Sequence, residues 1–156
     1  MRRVLLGLLL LCALAAPAQA GARNPLRPLD RAGLAALLTE PVPGRMVFFM
    51  ASWCAPCRQE LPLLERLWQR HKDRGLDLCG VSVDLEPGAM QELLGQTGVT
   101  FPVYWAGERA IDDYSLTSIP LLFILRNGKE AERLPGAKNE KLLEETIRGL
   151  LQESGR

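Results

Sequence analysis

Residues 46–51 form an unbroken apolar run, Met-Val-Phe-Phe-Met-Ala. Ser52-Trp53 and then Cys54-Ala55-Pro56-Cys57 follow at once. A run this apolar suits a strand covered on both faces, as in the central strand of an α/β sheet. Beyond it, Leu61, Leu64, Leu67 and Trp68 recur at helical spacing, which predicts a helix from Cys54 or the next residue to about Asp73, stopped by Gly75. Pro56 fits the first turn, where a missing N–H costs nothing, and Pro62 predicts a kink further along.

A cysteine pair is thereby placed where a strand gives way to a helix. Two cysteines three residues apart at a helix start lie on one side of its first turn and can close a small disulfide. Free N–H groups at that end favour a thiolate at Cys54, the more exposed sulfur. Cys57, deeper in the helix, suits a resolving thiol. Trp53 is expected beside the pair on a partner-contact surface, with Ala55 and Pro56 forming an uncharged loop. The same spacing supplies half of a zinc site, but the second half would need Cys79, His71 or carboxylates. A purely structural disulfide is the other alternative.

The remaining pattern alternates helix and strand. A helix is expected over residues 29–38, strands over 76–83, 101–105, 121–125 and 130–134, and helices over 87–96, 109–114 and 139–151. Asn127-Gly128 predicts a tight hairpin turn. This order gives a mixed-sheet α/β domain over residues 29–153, preceded by a short flexible lead over 21–28. At 156 residues, 47% hydrophobic and 24% charged, the chain has material for a core without disulfide staples.

Arg2 and Arg3, an apolar stretch and Ala18-Gln19-Ala20 make residues 1–20 read as a secretory signal, cleaved after Ala20 or retained as an N-terminal anchor. Cys12 within it raises lipidation, against which Leu11 argues, since lipoprotein signals carry a small residue there. Loss of the two arginines takes the formal charge from +1 to about −1. No basic stripe suggests nucleic acid, so the charged residues read as a solvated face. Cys79 reads as a core residue, His71 as a surface helix residue, Trp68 as packing, and Tyr104 and Trp105 as support for the inserted strand.

Residues 48–62, FFMASWCAPCRQELP, resemble the active-site strand and helix of thioredoxin-like proteins. The likeness is to exported thiol–disulfide oxidoreductases of the TlpA/ResA type, which include cytochrome c maturation thioredoxins. It extends to a helix–strand insertion before Phe101-Pro102-Val103, to Ser118-Ile119-Pro120 and to the terminal hairpin. The resemblance implies a thioredoxin-like fold and the kinked helix at Pro62. It also implies a cis-proline at Pro120 and pairing of the Ile119 backbone with an extended partner chain. It further implies an acid after the second strand, Asp84 or Glu86, as proton acceptor for Cys57, whereas a solvated carboxylate or helix cap is the plainer reading of either. Leu121 and Leu122 stand where relatives often carry small polar residues, which predicts a more apolar cleft.

The function expected from the resemblance is disulfide reduction in exported client proteins, apocytochrome c included. It takes place in the periplasm or another extracytoplasmic space, and a membrane thiol–disulfide protein supplies electrons. No cofactor, metal or nucleic acid is expected, and membrane contact only through a retained N-terminal segment. A disulfide-donating oxidase and a non-catalytic binding or metal-handling module are the alternatives.

Overall fold

The computed structural model describes residues 24–154, so the expected leader and Cys12 lie outside the described residues. The strands are β1 (Arg27–Pro28), β2 (Arg45–Met50), β3 (Leu78–Ser82), β4 (Val103–Trp105), β5 (Leu121–Arg126) and β6 (Lys129–Pro135). The helices are α1 (Arg31–Thr39), α2 (Ala55–His71), α3 (Pro87–Thr97), α4 (Arg109–Asp113) and α5 (Glu140–Ser154). They build one six-stranded mixed sheet in the order β1-β4-β3-β2-β5-β6. β1, β4, β3 and β2 run parallel, β5 pairs antiparallel with β2, and β6 pairs antiparallel with β5 and so runs the same way as β2.

All six residues of β2 are buried, as its continuous apolar run requires of a strand covered on both faces. β6 is the opposite case. It is an edge strand, almost wholly exposed and rich in Lys, Glu and Arg, and such charges discourage pairing with a second chain. Asn127 and Gly128 both take positive φ, 51° and 71°, which suits the tight turn expected between β5 and β6. A Cβ on Gly128 would lie 2.2 Å from the Thr39 carbonyl oxygen, so this glycine also lets the hairpin pack against the end of α1.

Three expectations need correction. The lead is not wholly irregular, because Arg27 and Pro28 pair with Tyr104 and Trp105 at the sheet edge. Two residues carry no periodicity, so only the partner strand reveals them. His71 is buried rather than on the surface, 2% exposed, with its Nε2 2.9 Å from Glu144 of α5. The solvated reading of the charged residues also fails at Arg45, Glu60, Asp84 and Lys138, which are all buried. Arg45 is bonded to Asp77, Glu40 and the Leu37 carbonyl, consistent with the rule that a buried charge must be paired. At Pro62 the helix continues: α2 runs on to His71, with the proline ring on the exposed side.

Candidate functional site

Strand register gathers the site at one end of the sheet. Met50, the last residue of β2, is level with Ser82 of β3, and Ser82 is level with Trp105 of β4. On the other side Phe49 pairs with Leu121, so Pro120 adjoins the same end of β2. The chain leaves β2 through Ala51, Ser52 and Trp53 and enters α2 at Cys54.

Cys54 is the N-cap of α2, and its Sγ accepts the Cys57 backbone N–H at 3.2 Å. A sulfur in that position receives an N–H otherwise without a partner and meets the positive end of the helix dipole, both of which favour a thiolate when the bond is open. The two sulfurs are joined at 2.06 Å, with Cα atoms 5.2 Å apart. Cys57 is fully buried and Cys54 5% exposed, so the first cysteine is the more exposed residue by a narrow margin. Trp53 is 67% exposed, and Ala55 and Pro56 lie at the surface. The Ile119–Pro120 peptide is cis, with Ile119 half-buried and Pro120 buried.

The two acids expected after β3 differ sharply. Glu86 is exposed at the start of α3 and makes no capping bond with its side chain. Asp84 is buried and accepts from the Ser52 N–H at 3.0 Å, the Ser52 hydroxyl at 2.6 Å and the Ser82 hydroxyl at 2.7 Å. Its own carbonyl receives the Trp105 indole N–H at 2.7 Å. Asp84 therefore ties the loop that carries Trp53 and Cys54 to β3 and β4. Next to it, Leu85 is 65% exposed and lines an open cleft of about 500 Å³ with Leu29, Leu34, Trp105 and Ala106.

A third acid was not anticipated. Glu60 lies on the buried face of α2, one turn beyond Cys57, among Leu61, Leu64 and Leu67. Residues three apart on a helix are neighbours, and the side chain of the later one leans back toward the earlier. Glu60 Oε1 is 3.4 Å from the ammonium of Lys138, a residue of the loop before α5, and Oε2 accepts the Lys138 backbone N–H at 3.3 Å. Oε1 has no well-aligned hydrogen bond, so its contact with the ammonium is electrostatic. Burial pushes the Glu60 carboxyl above its usual value, and Lys138 offsets only part of that effect. Burial likewise lowers the Lys138 ammonium. A helical wheel would have shown Glu60 on the apolar face, but nothing local to Lys138 marks it as its partner.

The third cysteine, Cys79, is buried in β3, and burial pushes its thiol up to about 12. Among the described residues no group of three or more His, Cys, Asp or Glu is arranged to hold a metal ion. Nor is any helix there long and apolar enough to cross a membrane.

A Cys-x-x-Cys disulfide capping the helix after the central strand, beside a cis-proline at the same end of a mixed sheet, defines a thioredoxin-like protein. Residues 40–129 match the model of the AhpC/TSA family, and the chain belongs to that family. The thiol–disulfide oxidoreductase ResA of Bacillus thuringiensis is 30% identical over 105 residues, covering 65% of this chain. The chain spans 61% of that relative's length. A Chlorobium tepidum crystal structure, assigned as the thiol:disulfide interchange protein DsbE, superposes with a TM-score of 0.67 at 25% identity. That match covers 84% of this chain and 96% of the other. StoA of Bacillus subtilis shares the fold, with a TM-score of 0.61 at 21% identity over 69% of this chain and 83% of its own.

Proposed function

We propose that this protein is an extracytoplasmic thiol–disulfide oxidoreductase that reduces disulfides in exported client proteins through a Cys54–Cys57 dithiol/disulfide cycle. Apocytochrome c, whose cysteines must be reduced to accept haem, is a client of fitting chemistry. The observation that carries the reading is the cysteine pair itself, closed at the start of α2 with its first sulfur receiving a helix N–H. The likeness to ResA supports it.

In the reducing direction the Cys54 thiolate attacks a client disulfide, and one client sulfur leaves as a thiolate. Cys57 then loses its proton and attacks Cys54 Sγ. The second client sulfur leaves, and Cys54 and Cys57 are again joined. Two electrons pass to the client, and a membrane thiol–disulfide protein must return two to reopen the pair. Trp53, Ala55, Pro56 and the Ile119 backbone form the surface that receives the client, with cis-Pro120 beside it at the same end of β2. Glu60 is the group placed to take the Cys57 proton, as a buried carboxylate one turn away. Asp84 is poorly suited to that step, because three donors already occupy its oxygens.

The test is the reduction potential of the pair, by equilibration against thiol–disulfide buffers, together with trapping. A value near or below about −220 mV supports a reductant, and one near about −120 mV overturns it in favour of an oxidase. Cys57→Ser should hold clients as mixed disulfides on Cys54, and Cys54→Ala should abolish catalysed insulin reduction. A pair that does not exchange in the folded protein would point to the binding-module alternative.

A further inference from the structure

Lys138 belongs to no motif of the cysteine pair, yet it reaches into the site from 78 residues away in sequence. Its side chain is 2% exposed and that of Glu60 1% exposed. The ammonium donates to the Gly136 carbonyl at 2.7 Å and more loosely to the Leu134 carbonyl at 3.4 Å. It also lies 5.3 Å from the centre of the Phe48 ring, within the range of a cation–π contact. Gly136 in turn donates its N–H to the Pro120 carbonyl at 2.9 Å. One lysine thus links the acid behind Cys57 to the strand end that carries the cis-proline.

A buried charge persists only with a partner, and among the described residues Lys138 is the one charged group set against Glu60. On α2, Arg58 and Gln59 point to solvent, and Arg66 and Arg70 pair with Glu140 and Glu144 of α5. On β2, Arg45 is held by Glu40 and Asp77. On β6, Arg133 lies over Phe123 and bonds Glu130. Lys138 is the charge that acts on Glu60, and Glu60 the charge that acts on Lys138.

Resting on the proposed oxidoreductase cycle, we propose that Lys138 is a positioning residue for its second half. Its ammonium holds the Glu60 carboxylate ionised and fixed one turn from Cys57, ready to accept the thiol proton. With the charge in place, the proton passes from Cys57 Sγ to Glu60. The resulting thiolate then displaces the client sulfur from Cys54 Sγ. Without it, Glu60 holds its own proton to higher pH and is the poorer acceptor for the Cys57 proton.

The experiment uses the reduced full chain and excess oxidised glutathione. The glutathione adduct on Cys54 is acid-quenched, and its decay to the Cys54–Cys57 disulfide is followed by mass spectrometry from pH 5 to 9. Lys138→Gln keeps an N–H donor on a slightly shorter side chain and removes the charge. It should shift the midpoint of the decay profile up by about one unit or more, slowing decay about tenfold below the midpoint. Lys138→Met, the second variant, should shift it the same way. In a Glu60→Gln background, Lys138→Gln should move the profile no further. A Lys138→Gln profile lying on that of wild type, or an equal shift without Glu60, would overturn the assignment. A wild-type adduct that never resolves through Cys57 would instead remove the cycle on which it rests.

Discussion

Asp84→Ala should be among the most damaging single changes near the cysteine pair, through stability rather than proton transfer. The substitution withdraws a buried carboxylate from the Ser52 N–H, the Ser52 hydroxyl and the Ser82 hydroxyl. Hydrogen bonds to a charged acceptor contribute about 1.5–3 kcal/mol each, so the three set a ceiling of roughly 5–9 kcal/mol. The hydroxyls can rotate to other acceptors, whereas the Ser52 N–H cannot, and the net cost should be about 3–5 kcal/mol. That is a large part of the 5–15 kcal/mol typical of a whole domain. Urea unfolding, with a slope of about 1–3 kcal/mol per molar, should show the midpoint falling by about 2 M. Asp84→Asn retains one acceptor oxygen, and Ser82 can turn its hydroxyl to accept from the amide, so its shift should be about a third as large. Glu86→Gln, at an exposed position, should change stability by less than about 0.5 kcal/mol. If Asp84→Ala and Glu86→Gln were equally mild, the reasoning that Asp84 anchors the Ser52–Cys54 loop would be wrong.

Glu60 should leave a mark on pH dependence. Its carboxyl is raised above 4.5 in the fold, so its contribution to stability is fully present below the unfolded value. It is lost as pH rises from there through the raised folded value. The difference in urea midpoint between wild type and Glu60→Gln should therefore change across that window, and a flat difference would contradict it. Replacing Glu60 and Lys138 together by Leu and Met should be far milder than either single change, because breaking a buried pair costs about 3–5 kcal/mol while replacing both partners can be neutral. Additive losses in thermal denaturation would refute that. Gly128→Ala should destabilise by about 2–4 kcal/mol, since the new Cβ would meet the Thr39 backbone and require a positive φ. A wild-type melting curve would rule this out. Iodoacetamide on the reduced native protein should alkylate Cys54 and spare Cys79 until denaturant is added, which peptide mapping would show.

The sequence by itself was enough for the architecture near the cysteines. A six-residue apolar run, a Cys-Ala-Pro-Cys junction and leucines at helical spacing are local patterns, and local backbone preferences turn them into β2 and α2 at those positions. The Asn127-Gly128 turn was legible for the same reason, because few residue pairs accept two positive φ angles. The tertiary structure decided what lies around the pair. Glu60 reads as one more polar residue of a helix until α2 is laid on the sheet and that side is covered. His71 misleads in the same way. Lys138 has no signature, since its meaning depends on its own loop, 78 residues after Glu60, bringing the ammonium over the Phe48 ring and against that acid. Asp84 and Glu86 are two residues apart and chemically alike, yet one is buried under three donors and the other faces water. Burial is a property of the assembled sheet and its helices, and charge energetics follow burial. Sequence patterns can therefore locate the sulfur chemistry but not the protons that accompany it.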